Sequence, residues 1–125
     1  MVSATTFKNK IRRSLTQKYK IEFLGKNFTQ IAELLTEKKA NNIYKWVKEV
    51  VEMNIQPITI HSKKQYKEWR VYELLNFRYQ FSIKNTEYRI FLIKVKNSFY
   101  IEFHLGDHKY YDKVRKELDL KKTSY

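Results

Sequence analysis

At Pro57, its one proline, the hydrophobic period of this chain passes from a pair of helices to a run of alternating strands. Before it, apolar residues recur at helical spacing; after it they alternate, so the chain cannot be all-helix or all-strand. Asn27 stands in a helix-capping position with Gln30 three residues on, and Phe28, Ile31, Leu34 and Leu35 follow at helical spacing. Beyond Ala40-Asn41-Asn42, read as an interruption, Ile43, Val47, Val50, Val51 and Asn54 lie on one side of a second helix that Pro57 stops. Two helices joined by a short turn form a hairpin. Ahead of it, Tyr19, Ile21 and Phe23 alternate with Lys20 and Glu22, which predicts a short strand from Lys18 to Leu24 ended near Gly25.

Past Pro57, the odd positions Trp69, Val71, Leu75, Phe77, Tyr79, Phe81 and Ile83 are apolar, while Arg70, Asn76, Arg78 and Gln80 take even ones. One face of this strand should be buried and the other should carry arginines. Glu73 breaks the parity and predicts a bulge or a carboxylate near the basic face. A turn at Asn85-Thr86 leads into Tyr88 to Val95, apolar on both parities, as in a central strand covered on two sides. After Lys96-Asn97-Ser98, Phe99, Ile101, Phe103 and Leu105 alternate with Tyr100, Glu102 and His104; a helix then starts near Lys109 with Tyr110 or Tyr111, Val114 and Leu118 as its apolar stripe. The order predicts an α+β fold with helices on one side of an antiparallel sheet, and an open sheet face available for function.

The 125 residues suit one domain, and no repeat or linker divides them. Lysine and arginine number 26 against 13 acids, a net charge of +13 that calls for a polyanion or an acidic partner. At 42% hydrophobic the chain is too apolar for a disordered basic tail. Without cysteine there is no disulfide, thiolate zinc site or thiol catalysis, which fits a reducing, cytoplasmic setting. Gly25 and Gly106 are too few and too far apart to build a glycine-rich phosphate loop. No apolar run approaches the roughly 20 residues of a membrane span, so no membrane partner is expected. Residues 1–17 hold Phe7, Ile11 and Leu15 beside Lys8, Lys10, Arg12 and Arg13, predicting an amphipathic basic helix added to the domain. A mitochondrial transit peptide has the same pattern; a helix lying against phosphates is the more economical alternative.

The densest run of chemistry-bearing residues is His104-Leu105-Gly106-Asp107-His108-Lys109-Tyr110-Tyr111-Asp112-Lys113. Here the chain resembles the RelE/ParE superfamily of toxins from bacterial toxin–antitoxin pairs, most closely its HigB-like members. Three pieces carry the resemblance: Tyr19-Lys20-Ile21-Glu22-Phe23 leading into the helical hairpin, Tyr88-Arg89-Ile90 in the middle strand, and Gly106 to Lys113, which looks like the G-x-H-x-x-Y-D-[KR] ending of HigB-like toxins. It spans about residues 18–120, so residues 1–17 have no counterpart in minimal members. The resemblance implies a helical hairpin on a small twisted antiparallel sheet with a C-terminal helix. It also implies a basic ribonuclease that cuts messenger RNA on the ribosome and is silenced by a bound antitoxin. The superfamily also contains gyrase-directed toxins that cut no RNA, so fold alone leaves function open.

Metal-free RNA cleavage by the 2′-hydroxyl needs a proton acceptor, a cation for the phosphate and a proton donor for the 5′-oxygen. His108 offers an imidazole that can give or accept a proton; Arg89 can meet phosphate oxygens through its planar fork; Tyr111 can stack on a base or position the hydroxyl; Asp112 can orient the histidine or act as base. Each has a plainer role: Tyr111 packing with Val114, Asp112 favouring a helix start, His108 beginning the helix, Arg89 paired with Glu87 or Glu102. Lys63, Lys64, Lys67, Arg70, Arg78, Lys94 and Lys109 are the candidate RNA-binding residues, with Tyr66 and Trp69 interleaved. His104 and His108, four apart, raise a metal site, but the glycine between them makes a shared helical face doubtful. No metal or small-molecule cofactor is expected. The competing reading is a non-catalytic binder of the same fold, either a gyrase-directed toxin or an RNA-binding module.

Overall fold

The computed structural model describes residues 2–15, 18–57, 59–61, 65–66, 69–70, 74–96 and 98–117; between 59 and 70 only strand pairing of the backbone is described. In chain order the elements are α1 (Ala4–Arg13), β1 (Lys20–Leu24), α2 (Phe28–Ala32), α3 (Glu37–Val51), β2 (Thr59–His61), β3 (Gln65–Tyr66), β4 (Trp69–Arg70), β5 (Leu74–Ile83), β6 (Thr86–Val95), β7 (Tyr100–Asp107) and α4 (His108–Glu117). The fold is α+β. Five strands form one sheet in the order β1-β7-β6-β5-β2, and β3 pairs with β4 separately.

The sheet is mixed rather than antiparallel, because β1 runs parallel to β7, with Glu22 beside Glu102. Parallel neighbours need a long connection, and everything from α2 to β6 supplies it. The helices also divide between the two faces. α1, α2 and α3 cover Ile90, Leu92, Ile101, Phe103, Leu105, Leu75 and Phe77, whereas α4 covers a smaller group of Phe91, Ile93, Val95, Tyr100 and Leu74. The face expected to be open is therefore roofed by α4.

Local chemistry explains most boundaries. Thr36 Oγ1 accepts the Lys39 N–H at 3.2 Å, so α3 starts at Glu37 and runs straight through Ala40-Asn41-Asn42. The expected interruption falls at residues 33–36 instead. Ala40 shares the buried stripe with Ile43, Val47 and Val50, and the asparagines are exposed, where they disturb nothing. The strand expected from Trp69 to Ile83 is divided: Trp69 and Arg70 pair with Tyr66 and Gln65, and β5 starts at Leu74. From Leu75 onward the odd positions face the three helices as the alternation predicts. Val71, Tyr72 and Glu73 lie outside the described residues. Lys84 and Asn85 both take positive φ, 48° and 66°, in a two-residue hairpin turn whose twist suits β5 and β6.

α1 belongs to the same core as the rest. Phe7 is fully buried between Phe28, Tyr44 and Phe103, with ring centroids 5.7–6.1 Å away. Its basic residues flank this contact: Lys8 Nζ lies 5.0 Å from the Phe28 ring and Arg12 Cζ 5.0 Å from the Phe23 ring. Among the described residues no helix is long and apolar enough to cross a membrane.

Candidate functional site

β7 passes into α4 without a loop, and this junction gathers the residues singled out above. Asp107 caps the helix by accepting the Tyr110 N–H at 2.9 Å. Gly106 faces Arg89 across the β6–β7 pair. A side chain at Gly106 would collide with the ring and Cβ of Tyr110, so only glycine lets α4 settle this close to the sheet.

One side of α4 brings Arg89 to the helix. Its Cζ lies 5.0 Å from the centre of the Tyr111 ring, and Glu87 Oε1 accepts from its Nη2 at 2.9 Å and its Nε at 3.0 Å. The Arg89 side chain is 10% exposed. Tyr111 is 2% exposed and meets Phe91 edge-on at 5.0 Å, so no face of its ring is left for a base. The stacking role expected of Tyr111 gives way to the plainer one, packing in one cluster with Val114, and its ring is also the surface on which Arg89 rests. One turn earlier His108 is well exposed, at 58%, and its Nε2 lies 3.2 Å from Asp112 Oδ2. Asp112 also faces Arg115, at 3.7 Å. Helical spacing places the His108–Asp112 pair beside Tyr111.

The basic residues scatter. Lys109 is exposed on α4 and Arg78 is half-buried opposite Phe91. Lys94 does not belong to an RNA-facing surface: it lies on the parity of Ile90 and Leu92, is 8% exposed, and donates to the Ser98 carbonyl at 3.4 Å. Burial holds its pKa below the ordinary lysine value. Arg70 lies in β4 opposite Gln65 with its side chain outside the description, and Lys63, Lys64 and Lys67 lie outside the described residues.

Alternation along β7 read Tyr100, Glu102 and His104 as an exposed face; instead they form a buried polar chain under α4. The Tyr100 hydroxyl donates to Glu102 Oε2 at 2.6 Å, His104 Nε2 meets Glu102 Oε1 at 2.9 Å, and His104 Nδ1 meets the Tyr110 hydroxyl at 2.8 Å. Glu102 is 1% exposed. Burial, then the hydrogen bond and charge of Glu102, then Glu22, raise the Tyr100 pKa far above its ordinary value. His104 thus engages both ring nitrogens within the protein, which removes it from a metal site with His108. No group of three metal-ligating side chains occurs among the described residues. The missed clue was Gly106: a glycine at the strand–helix junction lets a helix close over this face.

On the other side of α4 lies a cavity of about 360 Å³, lined by Lys26 and Asn27 ahead of α2, Ile31 of α2, Gly106 and Asp107 at the end of β7, and Lys109, Tyr110 and Lys113 of α4. Compared with protein-family models, curated proteins and solved structures, the chain matches none.

Proposed function

We propose that this chain is the toxin of a toxin–antitoxin pair, with a RelE/ParE-like arrangement closest to HigB. In this reading it is a cytoplasmic endoribonuclease that cuts ribosome-bound messenger RNA without a metal, and a cognate antitoxin keeps it silent. One observation carries the reading: a guanidinium seated on Tyr111 of α4, the helix that also carries an exposed histidine–carboxylate pair, on a chain of net charge +13.

The chemistry needs little else. The 2′-oxygen attacks phosphorus as its proton leaves, the bond to the 5′-oxygen breaks, and that oxygen takes a proton, leaving a 2′,3′-cyclic phosphate and a 5′-hydroxyl. His108 handles one of these protons, oriented by Asp112, whose second oxygen faces Arg115. Arg89 stabilises the phosphate charge; Tyr111 holds it, and Glu87 occupies its Nε and Nη2 until phosphate oxygens replace the carboxylate. Tyr111 positions and does not react.

The test is cleavage of message on purified ribosomes. His108→Ala and Arg89→Ala should each slow it by roughly 100-fold or more. Cleavage by both variants at the rate of the parent protein would falsify the mechanism. The pairing of Arg89 with Glu87 favours a second reading, a non-catalytic binder directed at gyrase or RNA. In that case toxicity persists in His108→Ala, and any RNA affinity falls steeply with salt.

A further inference from the structure

We infer that the cavity on the far side of α4 from Arg89 is a nucleotide site, holding the phosphate on its lysines and the nucleoside against Tyr110. The inference stands apart from the cleavage reading, since it involves neither Arg89 nor His108. The cavity, about 360 Å³, lies within the range of pockets that hold small ligands.

Its charge comes from two elements that the fold fixes in place. Lys109 and Lys113 are four apart on α4 and share its cavity side. Lys26 follows Gly25, whose φ of +146° and close approach to the Leu105 carbonyl exclude any other residue, so this corner sits at one position against β7. The one carboxylate at the cavity, Asp107, already accepts the Tyr110 N–H. Lys26 and Lys109 put two exposed ammonium groups at a cavity whose carboxylate is already engaged, a recess that suits a phosphate.

Tyr110 supplies a wall that is rigid before any ligand arrives. Its ring lies on Gly106, and its hydroxyl is tied through His104 to Glu102. The Tyr110 hydroxyl is thus held to His104 Nδ1 at 2.8 Å, which fixes the side chain where it lines the cavity. A fixed aromatic wall beside lysines fits a nucleoside with its phosphate, either free or as one unit of an RNA strand.

Titration of the protein with adenosine 5′-monophosphate and, separately, with a single-stranded RNA hexamer tests this by amide NMR. The Gly106, Lys109 and Tyr110 amides should shift in one or both arms; the nucleotide arm marks a free-nucleotide pocket, and a response to RNA alone marks a backbone subsite. The double variant Lys26→Glu/Lys109→Glu, altered only at exposed side chains, should bind at least about tenfold more weakly. Arg89→Ala should still give these shifts even where cleavage is lost, which separates the two proposals. Failure of both ligands to move these amides, or undiminished binding by the folded double variant, overturns the assignment.

Discussion

The two faces of the sheet are built on opposite principles. Against α1, α2 and α3 lies an apolar face of aromatic and branched side chains, where Phe7, Phe23, Phe28 and Phe103 meet in tilted and edge-on contacts. Against α4 the same strands bury Glu102, His104, Asn76 and part of Arg89 among Phe91, Ile93 and Tyr111. The first face gains from area removed from water and tolerates almost no polar group. The second ties its central polar groups together through Tyr100, Glu102, His104 and Tyr110, so that part of its geometry is specified bond by bond. Both proposed sites flank the helix that covers the second face.

The largest expected effect tests the apolar face. Phe7→Ala should lower stability by about 3–5 kcal/mol in urea denaturation, while the His104 ring signals of the folded protein stay in place. Loss of those signals from the folded state would show that the faces are not independent. Gly106→Ala acts on the polar face: the new methyl displaces Tyr110, destabilising by about 1–3 kcal/mol and breaking the His104–Tyr110 bond, as the imidazole nitrogen shifts would report.

A smaller effect is the alkaline limb of stability. Tyr100 has its pKa raised in the folded state, so above pH ~10 the unfolded chain releases a proton that the folded one keeps. Stability should then fall by up to about 1.4 kcal/mol per pH unit, and Tyr100→Phe should flatten that fall. An unchanged slope in the variant would exclude Tyr100 as its cause. Smallest of all, Lys94→Met should raise stability at pH 7 by about 1 kcal/mol or less. The Lys94 pKa is lowered on folding, so keeping its ammonium charged in the apolar end of the hairpin face opposes folding below its ordinary pKa. A loss of stability would mean that the bond to Ser98 outweighs burial of the charge.

Much of the architecture was legible in alternation. The parities of β5 and β7 put Phe77, Phe81, Ile101 and Phe103 on the face covered by α1, α2 and α3, and the double-sided apolar run of β6 marked it as central. What misled was reading polarity as exposure. Asn41 and Asn42 resembled a break, yet they sit on the solvent side of an unbroken α3. Tyr100, Glu102 and His104 resembled a wet face because alternation gives the side of a strand, not what lies above it. Lys94 looked like one more surface cation although its parity placed it with Ile90 and Leu92. At the candidate site, the linear motif named His108, Tyr111 and Asp112, but spacing alone could not distinguish the buried Tyr111 from the exposed His108.

Local sequence determined the meander, most of each helix and which side of each strand is apolar, and marked the β5–β6 turn one residue late at Asn85-Thr86, since these depend on side-chain period and on backbone preferences acting over a few residues. Tertiary structure alone decided that β1 lies parallel to β7, that α4 covers the polar face, and that Arg89 comes to rest on Tyr111 while His104 is held between Glu102 and Tyr110. Those contacts join residues of different elements, and their strength depends on the removal of water, which no local stretch of chain achieves by itself.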